Sequence, residues 1–160
     1  MRCITDVSFS VLINGAASPF FHSEQGLRQG CPLSPLLFFL IAEGLSWAIG
    51  HAKRQGKLRG LHISLGLQVT HLLFVDDILI FCTSSIREAN SLWDILELFS
   101  IATGMEVNER KSTLSTYLLE AEEMQTLRQF FPFNHKSLEE GLKYLGFNLK
   151  SNDYKKKYSV

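Results

Sequence analysis

Leu72-Leu73-Phe74-Val75-Asp76-Asp77-Ile78-Leu79-Ile80-Phe81 sets two adjacent aspartates between two runs of strand-forming apolar residues. Read as two strands and a tight turn, the stretch calls for an antiparallel hairpin and so bears on the fold class. It also poses a chemical problem. Desolvating a carboxylate is costly unless a cation or donors compensate it, and neighbouring carboxylates repel each other. A divalent metal answers both, because magnesium takes oxygen ligands from one or two carboxylates and leaves its other positions to water and phosphates. The plainer reading is a solvated turn. Asp is an ordinary turn residue, and taken by itself the decapeptide favours that reading.

Composition narrows the choice only loosely. A chain of 160 residues, 46% hydrophobic and 20% charged, suits one soluble globular domain. Sixteen basic and sixteen acidic residues cancel, so a nucleic-acid partner would have to be met by a local patch rather than by an overall basic field. Cys3, Cys31 and Cys82 are too few for a disulfide framework, and with no charged-then-apolar leader they suggest a reducing intracellular compartment. The most apolar run, Leu36 to Ile49, is short and carries Glu43. A buried helix is expected there, not a membrane span.

Outward from the aspartates, the remaining elements follow from period and turn chemistry. Val7 to Ile13 alternates like a half-buried strand, Asn14-Gly15 turns, and Phe20-Phe21-His22-Ser23 returns. Ser34 as N-cap and Pro35 at the first helical position open a helix whose apolar residues keep three-four spacing to about Gln55-Gly56. Gly60 to Val69 reads as a hairpin turning at Gly66, and His71 to Thr83 as the pair that displays Asp76 and Asp77. Ser85 with Glu88 predicts a capping box, the stripe Ala89, Leu92, Trp93, Leu96, Phe99 and Thr103 a buried face, and Gly104 a stop. Lys111 to Tyr117 predicts a strand, Leu119 to Phe131 a third helix, and Tyr144 to Leu149 a last strand. Lys155-Lys156-Lys157 belongs to a polar tail over 151–160, leaving 1–150 as one domain. The expected class is α+β, with helices on one face of a mainly antiparallel sheet.

A second chemical signal is Gly26-Leu27-Arg28-Gln29-Gly30-Cys31-Pro32-Leu33-Ser34-Pro35. Two glycines permit close backbone approach, Arg28 and Gln29 offer donors, and the segment runs into a helix N-terminus that favours anions. A phosphate-bearing ligand fits such a loop. Equally, the glycines merely shape a turn before a capped helix.

Taken together, the motifs resemble the palm of reverse transcriptases, most closely those of non-LTR, LINE-type plant retrotransposons. Arg28-Gln29-Gly30-Cys31-Pro32-Leu33-Ser34-Pro35 is similar to motif B and Phe74-Val75-Asp76-Asp77 to motif C. Ala102-Thr103-Gly104-Met105-Glu106-Val107-Asn108 with Lys111-Ser112 is similar to motif D, and Lys143-Tyr144-Leu145-Gly146 to motif E. The resemblance implies a partial palm, ferredoxin-like in architecture, over residues 1–150. It implies RNA-directed DNA polymerisation, in which a primer 3′ hydroxyl attacks the α-phosphate of a deoxynucleoside triphosphate between two magnesium ions. Asp76 and Asp77 would be the catalytic metal ligands, Asp76 the more direct. Arg28, Gln29, Gly30 and Pro32 would border nucleotide and template, and Lys111 would donate a proton to departing pyrophosphate, although a basic residue after a turn is more often a solvated surface group. Tyr144, Leu145 and Gly146 would belong to the primer grip, although Tyr144 and Leu145 also suit the edge of a core. RNA template, DNA primer and a nuclear or cytoplasmic setting are implied in the same way.

Two departures from the family pattern shape the expected activity. The family's motif A aspartate has no counterpart, since Asp6 lacks its surroundings, and the fingers and thumb are missing too; the cage of carboxylates is expected to be incomplete and the chain inactive alone. Cys31 stands where these elements carry aspartate, and a thiol does not accept hydrogen bonds as a carboxylate does. The alternative is a non-catalytic α+β domain that binds RNA or protein. A nucleotide cyclase with a similar acidic hairpin accounts for Asp76-Asp77 but not for motifs B, D and E.

Overall fold

An Asn-Gly pair between alternating residues folds the N-terminal stretch into an interrupted hairpin. The computed structural model of the protein describes residues 8–22, 26–27, 30–83, 85–117 and 119–149. Its chain divides into two compact units, 1–43 and 44–160. In the first, β1 (Ser8–Phe9) pairs with β4 (Phe21–His22), and β2 (Leu12–Ile13) with β3 (Ala16–Ala17). Asn14 and Gly15 both take positive φ, 52° and 85°, as a type I′ turn demands. Where the ladder breaks, Ser18 bridges it: Val11 N–H donates to its Oγ at 3.0 Å, and its own N–H donates to the Val11 carbonyl at 2.9 Å.

Helix α1 (Ser34–Arg54) begins one residue earlier than expected. The Leu37 N–H donates to the Leu33 carbonyl, so Ser34 is the first helical residue and Pro35 the second. Pro35 is still in the first turn, where its missing N–H costs nothing. At the other end Gly56 adopts φ 69°; its N–H reaches the Lys53 carbonyl and the Lys57 N–H the Ala52 carbonyl, a Schellman stop. The expectation of a buried helix holds for one stripe only. Leu45, Ile49 and Ala52 are buried, whereas Leu36, Phe39, Leu40 and Trp47 are each more than 60% exposed. By length and composition alone α1 would also suffice to cross a membrane.

Within 44–160 the core is built where three helices meet. Leu45, Ile49 and Ala52 of α1 and Leu58 after it cluster with Ala89 and Leu92 of α2 (Ile86–Thr103), and with Leu127 of α3 (Ala121–Phe130) and Phe131. Trp93, expected on the buried stripe of α2, lies at its rim, 37% exposed and edge-on to Phe131 at 5.9 Å. Gly104 ends α2 as expected, at φ 69° with its N–H on the Ser100 carbonyl. The capping box is replaced by a longer reach. Ser85 is the N-cap but makes no side-chain capping bond; the buried Glu88 carboxylate instead accepts the Thr83 N–H at 3.0 Å and faces Arg59 at 3.9 Å.

The strands of this unit form β5–β6 (Leu61–Ser64, Leu67–Val69), β7–β8 (His71–Phe74, Asp77–Ile80) and β11–β12 (Leu142–Tyr144, Phe147–Leu149), all antiparallel. A fourth pair is parallel. Strand β9 (Thr113–Thr116) lies beside β10 (Asn134–Ser137), with α3 as the crossover between them. The architecture is therefore mixed α+β, and among the described residues the pairs do not merge into one sheet. Two sequence expectations change. Tyr144 to Leu149 is a hairpin and not a single strand, turning at Leu145-Gly146 with φ 50° and 82°, and β10 was not foreseen.

Candidate functional site

The aspartates belong to the hairpin β7–β8, whose register pairs Phe74 with Asp77, Leu73 with Ile78, Leu72 with Leu79 and His71 with Ile80. That register makes Val75 and Asp76 the two turn residues. Asp77 is the first residue of β8 and not part of the turn, so the two carboxylates leave the backbone from different local geometries. Both residues are exposed.

The foot of the hairpin is anchored while its tip is bare. Thr70 is buried, its carbonyl accepts the Phe81 N–H at 2.8 Å, and its hydroxyl lies 3.1 Å from His71 Nδ1. The other ring nitrogen of His71, Nε2, is 2.8 Å from the Ser46 hydroxyl on α1. At the tip, Phe74 and Val75 are 55% and 70% exposed. No sequence signal singled out this tie between hairpin and helix, because it depends on tertiary pairing of residues far apart in the chain.

Val75 carries a positive φ of 52°. For a β-branched residue that region is a true outlier, costing about 1–3 kcal/mol. Glycine would remove the strain at a smaller cost in unfolded-chain entropy, so Val75→Gly is expected to stabilise the protein by about 1 kcal/mol in urea unfolding. An unchanged midpoint would mean that the turn holds no strain.

Asp76 and Asp77 make no ion pair among the described residues; the pair seen there is Arg59 with Glu88. Nor do three or more His, Cys, Asp or Glu side chains gather into a metal-holding group among the described residues. The donor set nonetheless suits a hard cation. Two exposed carboxylates match the one or two protein ligands that magnesium takes while keeping its waters. Cys82, just beyond β8, is unsuited to such a role. Although much of the residue is at the surface, its thiol is pushed up to about 12, first by desolvation and then by the Glu88 carboxylate, which keeps it protonated near neutral pH.

The other candidates lie on separate elements. Arg28 and Gln29 fall outside the described residues. Gly26 and Gly30 have φ 88° and 77° with open space around them; Pro32 is exposed and Cys31 half-buried. In 44–160, the Lys111 side chain is exposed, and its N–H is held by Asn108 through both the carbonyl and Oδ1 at 3.1 Å. Tyr144 is half-buried, with Leu145 and Gly146 forming the β11–β12 turn. Among the described residues no hydrogen bond or ion pair joins Lys111 or Tyr144 to the aspartate turn.

Comparison with known proteins gives this arrangement a context. Residues 1–149 match the family described as reverse transcriptase (RNA-dependent DNA polymerase). An uncharacterized mitochondrial protein of Arabidopsis thaliana is 41% identical over 108 residues, 64% of this chain and 84% of the relative. The retrovirus-related Pol polyprotein from the type-1 retrotransposable element R2 of Popillia japonica is 27% identical over 111 residues. That match takes in 69% of this chain but only 17% of the polyprotein.

Proposed function

This chain belongs to the reverse transcriptase (RNA-dependent DNA polymerase) family across residues 1–149, and on that premise we propose that it is a palm portion of an RNA-directed DNA polymerase. The observation that carries the proposal is the pair of exposed carboxylates at a strained turn on a hairpin anchored at its foot. Asp76 and Asp77 would hold magnesium, which when bound neutralises charge on the attacking and leaving oxygens of nucleotidyl transfer. Asp76, in the turn itself, is the more direct ligand and Asp77 its neighbour. Gly30 and Pro32, with Arg28 and Gln29, border the incoming deoxynucleoside triphosphate and the RNA template. Lys111 gives its proton to the departing group, and Tyr144, Leu145 and Gly146 hold the primer. The setting is intracellular, in nucleus or cytoplasm.

With two carboxylates in hand and no third beside them among the described residues, the chain is proposed to be inactive by itself. Purified chain given magnesium, a primed RNA and deoxynucleotides is expected to extend no primer. Extension at the level of a complete polymerase, abolished by Asp76→Ala, would refute that. The same lack of a third ligand favours a second reading, a non-catalytic α+β domain that binds RNA or protein. RNA affinity that is salt-dependent yet indifferent to Asp76→Ala and Asp77→Ala supports it.

A further inference from the structure

Charge is unevenly spread along this neutral chain. From Gly44 to Val75 there is no Asp or Glu, while Lys53, Arg54, Lys57 and Arg59 all fall in that stretch, a local formal charge of +4. On the exposed side of α1 one of these cations, Arg54, lies against an aromatic platform. Trp47 is 64% exposed, His51 stacks on it with ring centroids 5.3 Å apart and planes 14° from parallel, and the Arg54 guanidinium lies 6.0 Å from the indole centroid. Gln55 steadies His51 through a 2.8 Å contact between Nε2 atoms. Lys53 is spent on the Gln68 carbonyl at 2.6 Å and the exposed Arg59 faces Glu88, whereas Arg54 and Lys57 are exposed and make no ion pair among the described residues.

Basic residues in a last helical turn complement the helix dipole whatever their partner. That accounts for the charge but not for a large indole kept out of the core beneath it. The core of a protein interface is depleted in charge, whereas a single strand of nucleic acid asks for this combination: an aromatic face on which a base stacks, an arginine that stacks or pairs, and cations along the phosphates. We propose that the Trp47–His51–Arg54 stack, with Lys57, is a binding surface for single-stranded nucleic acid. Its residues lie outside motifs B to E, and the proposal stands without the catalytic reading.

Fluorescence anisotropy of the full chain with labelled oligouridine and oligodeoxythymidine of about 12 nucleotides, within the usual span of a single-strand site, tests this. Both single strands are expected to bind, more tightly at low salt. Trp47→Ala should weaken binding about tenfold, on the scale of one lost stacking contact, and Trp47→Phe should keep most of it. Lys57→Gln should lower the slope of log affinity against log salt by about 0.7, as for one phosphate contact on a single strand. Thermal unfolding of each variant should match the parent because all these side chains are exposed. Wild-type affinity in Trp47→Ala, duplex bound as tightly as single strands, or no nucleic-acid binding at all would overturn the proposal. So would binding of anionic lipid vesicles alone, or affinity lost with Asp76→Asn and kept with Trp47→Ala, which places the strand at the aspartate turn.

Discussion

On the proposed reading, replacing Asp76 by Asn is expected to cut primer extension by about 10²–10³-fold in an assembly that supplies a third carboxylate, the scale of losing one group organised against developing charge. Asn keeps the shape of Asp and is equally at home in a turn, so the hairpin should fold unchanged. What it loses is the anionic oxygen, and a neutral amide is a poorer ligand for a hard cation. Asp77→Asn should do less damage. Asp77 starts β8 opposite Phe74, while Asp76 stands in the turn. Single-nucleotide extension with magnesium, read against unchanged thermal unfolding, separates lost chemistry from lost fold. Extension that survives Asp76→Asn would remove Asp76 from the metal.

The sequence announces the carboxylates but not their geometry. Alternation and turn residues locate the hairpin, yet which residues form its turn depends on register, and a slip of one would exchange the roles of Asp76 and Asp77. Valine at φ 52° runs against every local preference, so no reading of propensity finds it. Helices α1, α2 and α3 were legible because their apolar residues recur at helical spacing. What covers an apolar stripe is not written in its period, and the exposure of Leu36, Phe39 and Leu40 could not be read there.

The misses share one physical origin. Asn134-His135-Lys136-Ser137 has no apolar alternation; it becomes a strand through parallel pairing with β9, reached across a helix, and Thr116 Oγ1 meets His135 Nε2 at 2.8 Å there. Glu88 looked like half of a local capping box, but its carboxylate is buried on the Thr83 N–H and toward Arg59. In both cases distant residues supply the partner that local chemistry suggested would be near.

Gly60→Ala is expected to be strongly destabilising. Gly60 has φ 73°, and a Cβ there would lie 2.5 Å from the Val69 carbonyl oxygen and 2.9 Å from Thr70 Cγ2. Left-handed strain costs about 1 kcal/mol and forced overpacking about 1–3 kcal/mol. Together they amount to about 3 kcal/mol, a fall of about 6–12 °C in Tm for a chain of this size. Gly66 is the control. Its φ is 86°, but nothing lies within 4 Å of a Cβ built there, so Gly66→Ala should show the strain alone, about 1 kcal/mol. Equal losses for the two variants would show that the crowding relaxes without cost. The consequence of Gly60→Ala should also reach past stability, because the obstructing atoms belong to Val69 and Thr70. Thr70 is the buried foot of the aspartate hairpin, bonded to Phe81 and beside His71. Backbone that gives way at Thr70 moves the base from which Asp76 and Asp77 are presented, so on the proposed reading Gly60→Ala should lower extension in an assembly with a third carboxylate even at temperatures where the protein remains folded, and Gly66→Ala should not.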